Sequence, residues 1–245
     1  MENNSKSVLI TGINRGLGHG LAHACLERGD HVLGLGRQSA DDLDSHSRFQ
    51  FARADVSIAS ECSVALDRLL EGRPKLNHVI LNAGILGPLA DMREQSIDTM
   101  KEVLNVNLWA NKDLLDNLLG RDLKISQIVA ISSGAAVNGN RGWGGYSISK
   151  AALNMLIKLY SNERDDIHFS ALAPGLVDTG MQEQIREMPD ETPFVSVAKL
   201  KQARGTDAMP NPKVAGQIIL KAIDRLPGLI ESGSFVDVRK PPLAS

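Results

Sequence analysis

Tyr146 and Lys150 stand four residues apart in Tyr146-Ser147-Ile148-Ser149-Lys150, and Ser133 precedes the tyrosine by thirteen residues. A helix beginning near Gly145 puts positions 146 and 150 on one face, so a phenol and an ammonium point into the same space. A free tyrosine, with a pKa of about 10, is a poor proton shuttle at neutral pH. A fixed cation beside it favours the phenolate, so Lys150 is expected to lower that value. Ser133 follows the apolar run Ile128-Val129-Ala130-Ile131 and can donate a hydrogen bond to a carbonyl oxygen. An acid, a group that tunes it and a donor that polarises the substrate suit interconversion of a carbonyl and an alcohol. Ordinary amphipathic helices also carry a Tyr and a Lys at this spacing, so the elements around them decide.

Those elements alternate. Ser7-Val8-Leu9-Ile10 reads as a strand, followed at once by Thr11-Gly12-Ile13-Asn14-Arg15-Gly16-Leu17-Gly18 and a helix with Leu17, Leu21 and Cys25 on its apolar side. Arg28-Gly29 closes that helix, a cation in the last turn and glycine just past it. A strand, a glycine-rich turn and a helix let backbone approach a pyrophosphate, which the helix N-terminus attracts. His31 to Gly36 forms a second predicted strand ending at Arg37, and Phe49 to Ala54 a third. Ser57 is the expected N-cap of a helix from about Ile58 to Leu70, with Glu61 in its first turns. Val79-Ile80-Leu81 is a fourth strand, closed by Asn82-Ala83-Gly84, and one long helix is expected over Asp98–Leu119. Strands at Ile125–Ile131 and Ile167–Ala173 flank a helix from Tyr146 to about Asn162. Residues 180–212 read as irregular, with short helical pieces. Asn211-Pro212 then caps a last helix with Val214, Ile218, Ile219 and Ile223 on its apolar side and Pro227 at its end, before a strand at Ser234–Val238. This alternation predicts an α/β fold over residues 1–245: one doubly wound, Rossmann-type domain with a parallel seven-stranded sheet and helices on both faces.

Composition narrows the function classes. Hydrophobic residues make up 42% and charged residues 23% of the 245, ordinary for a globular domain with a sizeable core. A net charge of −2 and the lack of a dense basic run argue against nucleic acid and anionic membrane as partners. No apolar run approaches the roughly 18 residues needed to span a bilayer. Met1-Glu2-Asn3-Asn4-Ser5-Lys6 lacks the apolar core of a signal peptide, and the two cysteines, Cys25 and Cys62, fall in predicted helices. A cytoplasmic protein with reduced thiols is expected. His19 and His23 are four apart on the first helix, but no third ligand lies at a sensible sequence spacing. They read as helix-surface residues, and no metal is expected.

TGINRGLG, LNAG, NVN, ISSGAA, YSISK and APGLVDT, in that order, make the chain resemble the short-chain dehydrogenase/reductase superfamily over nearly its whole length. The resemblance implies a catalytic tetrad of Asn107, Ser133, Tyr146 and Lys150. In it Tyr146 transfers the proton, Ser133 holds the carbonyl, and Lys150 binds the nicotinamide ribose and tunes the tyrosine. Asn107 sits at a helix irregularity that supports a water relay. Ser132 rivals Ser133, and the spacing to the tyrosine favours Ser133. For the cofactor it implies contacts from Gly12, Asn14, Arg15, Gly16, Leu17, Gly18, Arg37, Asp55 and Val56. Asn82, Ala83 and Gly84 are placed by the adenine ribose, and Pro174, Gly175, Val177 and Thr179 by the nicotinamide carboxamide. Structural alternatives stand beside these: Asp55 as a cap for the next helix, Asn82 as a partner for backbone groups.

GWGGYSISKAALNM and APGLVDTGMQ look more closely like the group containing sepiapterin reductase and benzil reductase. The expected activity is reduction of a small ketone, aldehyde or vicinal dicarbonyl by NADP(H). Strand two ends in Gly36-Arg37 without a carboxylate, and Arg15 and Arg37 together suit a 2′-phosphate. Trp143, Met181 and Asp237 are candidate substrate contacts, with residues of about 180–211 as a lid. Asp237 either anchors a pterin's amino-pyrimidine edge or bonds Arg239 as part of the scaffold. Trp143 either borders the pocket or packs in the core. The alternatives are an NADP-linked alcohol dehydrogenase, a sepiapterin-type pterin reductase, and a catalytically idle dinucleotide sensor. A homodimer or homotetramer is expected, with Leu108, Leu115, Met155 and Leu159 as candidate contacts.

Overall fold

The structure, a computed structural model, describes residues 5–189 and 193–244. Seven strands form one sheet in the order β3-β2-β1-β4-β5-β6-β7, and every neighbouring pair is parallel. They are β1 (Ser7–Thr11), β2 (His31–Gly36), β3 (Phe49–Arg53), β4 (Lys75–Leu81), β5 (Lys124–Ile131), β6 (His168–Ala173) and β7 (Ser234–Asp237). Central strands such as β1 read as unbroken apolar runs because helices cover both faces of the sheet. On one face α1 (Gly16–Arg28) and α10 (Pro212–Leu229) bury Leu21, Cys25, Ile219 and Ile223 over Val8, Ile10 and Val129. On the other, α3 (Ala59–Leu70), α5 (Ala110–Leu119) and α7 (Gly144–Glu163) bury Leu66, Leu115, Leu153 and Ile157 over Leu9, Val79 and Ile128. The strand order reverses between β1 and β4, and the crevice beyond the carboxyl ends of those strands is where open α/β sheets bind ligands.

Local expectations and the structure differ in several places, each for a physical reason, while the irregularity that the resemblance implied at Asn107 is present. The helix predicted over Asp98–Leu119 is interrupted: α4 (Ile97–Leu104) passes through a π-helical turn, Asn105–Trp109, before α5 begins. Asn107 in that turn is held to the Ile85 backbone from both ends of its amide, so the extra residue places its side chain inward. Ser57 does not cap α3. Its N–H and hydroxyl both donate to the Asp55 carboxylate, and Ile58 takes the cap position without a side-chain bond. Short helices also form where none was predicted, α2 (Asp41–Asp44) and α6 (Ala135–Asn138). Among the described residues no helix is long and apolar enough to cross a membrane.

The last helix differs in facing and in its end. Val214 and Ile218 are 43% and 49% exposed, while Ala215, Ala222 and Leu226 join Ile219 and Ile223 in the core. Asn211 caps it as expected, its Oδ1 accepting the Val214 N–H at 3.0 Å. The helix nevertheless runs past Pro227 to Leu229. Proline has no N–H to give the carbonyl four residues back, here that of Ile223. Gln127, buried on β5, donates its Nε2 to that carbonyl at 2.9 Å instead. Gln127→Leu should therefore cost about 1–3 kcal/mol by stranding a buried carbonyl, measured by urea unfolding. Adding Pro227→Ala, which restores the missing donor, should recover part of the loss. A loss unchanged in the double variant would contradict this coupling.

Candidate active site

The turn after β1 is fixed from two sides. Thr11 Oγ1 accepts the N–H groups of Asn82 and Ala83, each at 2.9 Å. Asn82 Nδ2 in return donates to the carbonyls of Thr11 at 2.9 Å and Gly12 at 3.1 Å. Asn82 thus satisfies backbone groups, and in doing so ties the ends of β1 and β4 together. Gly12 and Gly16 adopt positive φ (72° and 62°), and a Cβ on Gly18 would sit 2.2 Å from the Gly12 carbonyl oxygen. Only glycine lets α1 start so close to β1. Leu17 anchors the helix in the core. The first turn of α1 has neither a side-chain cap nor an acidic residue, so its N–H groups remain available to an anion. These features fit the pyrophosphate of a dinucleotide.

Beside this turn opens a cleft of about 900 Å³ lined by Asn14, Arg37, Gln38, Ser39, Phe51 and Arg53, among others. It lies at the ends of β2 and β3, away from Tyr146, where an adenosine would be held. Arg37 is here as expected. Arg15 is not: its guanidinium turns towards Gly180 at the start of α8 (Gly180–Arg186), and Arg53 supplies the second cation of the cleft. The reason is local, since Arg15 is the extended N-cap residue of α1 and its side chain leaves the turn on the other side. Asp55 is half-buried with its carboxylate engaged by Ser57, which lowers its pKa, and Val56 packs against the core.

Tyr146 lies in the first turns of α7, buried, with the Ser133 hydroxyl, just past the end of β5, beside its phenol. Burial raises the Tyr146 pKa, and the Ser133 hydroxyl pulls it back only in part. This reverses the expectation that Lys150 would lower it. Lys150 Nζ donates to the Ile131 carbonyl at 2.8 Å, 5.8 Å from the tyrosine ring centroid, and burial brings its own pKa down to about 8. The cost of burying a phenolate is the larger effect at this site, and it sets the direction of the shift. Asn107 is fully buried and donates to Ser149 Oγ at 3.0 Å, so the π-helical turn is locked onto α7. Asn107 Oδ1 and Lys150 Nζ both flank Gly84. Ser132 is committed elsewhere, its hydroxyl donating to Asn154 Oδ1 at 2.5 Å, which leaves Ser133 as the serine beside the tyrosine.

The floor and roof of the site follow from the next loops. Gly175 has φ 76°, Val177 is buried, and the Thr179 side chain packs on Gly16, so the Pro174–Thr179 turn faces the glycine turn. Trp143 contacts Tyr146 at 6.0 Å between centroids and donates its indole N–H to Ser196 on α9 (Val195–Ala203) at 2.7 Å. Of the two expectations for Trp143, the structure shows the packing: it is buried in a cluster against Tyr146. That cluster joins Leu86, Ala135, Tyr146, Ile185, Phe194 and Val197, with Met181 against it. Asp237 is buried and paired with Arg239, which donates from its backbone N–H at 3.0 Å, Nε at 2.9 Å and Nη2 at 2.6 Å. Of the two readings given for Asp237, the pairing with Arg239 is present. Residues 190–192, inside the predicted lid, lie outside the described residues.

A family model described as short chain dehydrogenase matches residues 6–190. The chain belongs to the short-chain dehydrogenase family. A benzil reductase ((S)-benzoin forming) of Saccharomyces cerevisiae is 30% identical, with 89% of this chain and 91% of that protein aligned. The Bacillus subtilis benzil reductase ((S)-benzoin forming) is 27% identical over 95% of this chain and 98% of its own. A solved short chain dehydrogenase/reductase of Saccharomyces cerevisiae superposes with a TM-score of 0.87 at 26% identity, covering 98% of each chain.

In this short-chain dehydrogenase several site residues escaped the sequence reading. Arg53 ends β3 on the same face as Phe51, and nothing in so short a run marks it as a cofactor contact. Arg239 entered only as a partner for Asp237. One exclusion was wrong in its premise. The third group near His19 and His23 exists: Asp42 of α2 receives both imidazoles.

Proposed function

We propose that this protein is an NADP(H)-dependent reductase of small apolar carbonyl compounds, with vicinal diketones ahead of pterins. The observation that carries the reading is the setting of Tyr146: a buried phenol beside Ser133, under an apolar roof from Trp143, Ile185, Phe194 and Val197. When bound, the nicotinamide cofactor supplies the hydride. Ser133 holds the carbonyl oxygen and Tyr146 gives it a proton. A raised phenol pKa keeps that proton in place at neutral pH, the state an acid needs for reduction. Lys150, with a pKa of about 8, exchanges protons close to neutral pH and replenishes the phenol, while Asn107 fixes the geometry around it. Arg37 and Arg53 support a 2′-phosphate, since guanidinium groups bind phosphate through paired charge-assisted bonds. The relatives that reduce benzil favour a diketone, and the Asp237–Arg239 pair disfavours a pterin. The buried thiols, Cys25 raised to about 12 and Cys62 to about 11, suit a reducing cytoplasm.

Steady-state kcat/KM with NADPH across aromatic diketones, sepiapterin and simple ketones tests the substrate reading. Diketones should lead by about tenfold or more, the value of one to two methylenes of extra apolar contact. Sepiapterin ranking first would overturn it.

We also propose a two-fold dimer. Leu108 and Leu115 point into their own core and cannot contribute, a correction to the expected contacts. Met155 and Leu159 are 57% and 52% exposed on α7, and Ile148 and Trp109 are also exposed. Light scattering at micromolar protein should report a dimer or its doubling, and Met155→Glu with Leu159→Glu should give monomer. A wild-type monomer would contradict the assembly.

A further inference from the structure

We propose that His19, His23 and Asp42 form a binding site for a divalent transition-metal ion such as Zn²⁺, on the outer rim of the adenosine cleft. His19 and His23 are one turn apart on α1, so both rings leave the same face. Their Nε2 atoms converge on one carboxylate: His19 lies 3.0 and 3.1 Å from the two Asp42 oxygens, and His23 lies 2.7 Å from one of them. The three ligand atoms all fall within 4.8 Å of one another. Tetrahedral zinc, with bonds of about 2.0–2.2 Å to nitrogen and oxygen, sets its ligand atoms about 3.3–3.6 Å apart, so the two nitrogen–oxygen pairs must open by a few tenths of an ångström and the widest separation must close. Two imidazoles and a carboxylate suit zinc, and the partial exposure of all three leaves a position for water.

The surroundings favour a cation as well. Asp41 and Asp44 share α2 with Asp42, while the imidazoles themselves are the only basic side chains found on Asp42 among the described residues. To bind the ion each ring must present a lone pair at Nε2, so the proton now directed at Asp42 moves to Nδ1 or to solvent. No covalent bond breaks, and the carboxylate exchanges two N–H donors for one metal. Because His19 and Asp42 also line the cleft, the ion would clamp α2 to α1 beside it.

Zn²⁺ titrated calorimetrically into the purified chain tests the site. The expected result is saturable binding of one equivalent. His23→Gln, which does not line the cleft, should weaken it by at least about tenfold. Asp42→Asn should weaken it too. His46→Gln, at an exposed histidine elsewhere, serves as the control and should bind like wild type. Circular dichroism establishes that each variant is folded. Wild type that takes up no zinc stoichiometrically overturns the proposal, as does equal binding by the His23 and His46 variants. None of these readouts depends on activity or on the cofactor.

Discussion

Tyr146→Phe should lower kcat by about 10²–10⁴-fold, the usual contribution of a positioned general acid. The substitution keeps the ring that packs against Trp143 and removes only the hydroxyl, so cofactor affinity should persist. The loss should appear in kcat and kcat/KM alike, because the proton is transferred only in the transition state. Tyr160→Phe provides the control. It is the one other tyrosine, its phenol donates to Asp116, and it packs in a separate cluster near the other end of α7. A Tyr146→Phe enzyme retaining more than about a tenth of wild-type kcat, measured where chemistry limits, would remove the phenol from the mechanism.

Arg37→Ala should lower kcat/KM with NADPH by about 10²-fold while changing the value with NADH little. One charged hydrogen-bonding group contributes about 1.5–3 kcal/mol, and the 2′-phosphate is the only part of the cofactor that differs. Arg53→Ala should act in the same direction, since it lines the same cleft. Arg15→Ala should spare the cofactor ratio, because its guanidinium lies by Gly180. Equal losses with both cofactors after Arg37→Ala would mean that Arg37 stacks on adenine or supports the fold.

The contrast between Arg15 and Arg37 shows where sequence reasoning reaches and where it stops. Arg37 follows directly from the end of a strand, and strand ends face the crevice in a doubly wound sheet. Arg15 follows a turn whose backbone is legible, but the side chain's direction depends on an extended cap conformation that no motif encodes. That Asn107, Ser133, Tyr146 and Lys150 lie close together was legible because two of them are tied by helical spacing and the others by motif. The sign of the Tyr146 shift was not, because it depends on how deeply the site is buried. Apolar patterning found α10, yet it misassigned Val214 and Ile218, since the helix is apolar over more than half its circumference. Asp42 meets His19 and His23 only through tertiary packing of a four-residue helix, and nothing in the local sequence announces that contact.

The central claim is that this fold turns a carbonyl over and does more than hold a dinucleotide. Mixing the purified protein with NADPH and excess benzil, following absorbance at about 340 nm and separating the products, tests it most directly. One benzoin should appear for each NADPH consumed, and Tyr146→Phe should bind NADPH without consuming it. Wild-type protein that binds NADPH yet leaves its absorbance unchanged with benzil and every other carbonyl offered would contradict it.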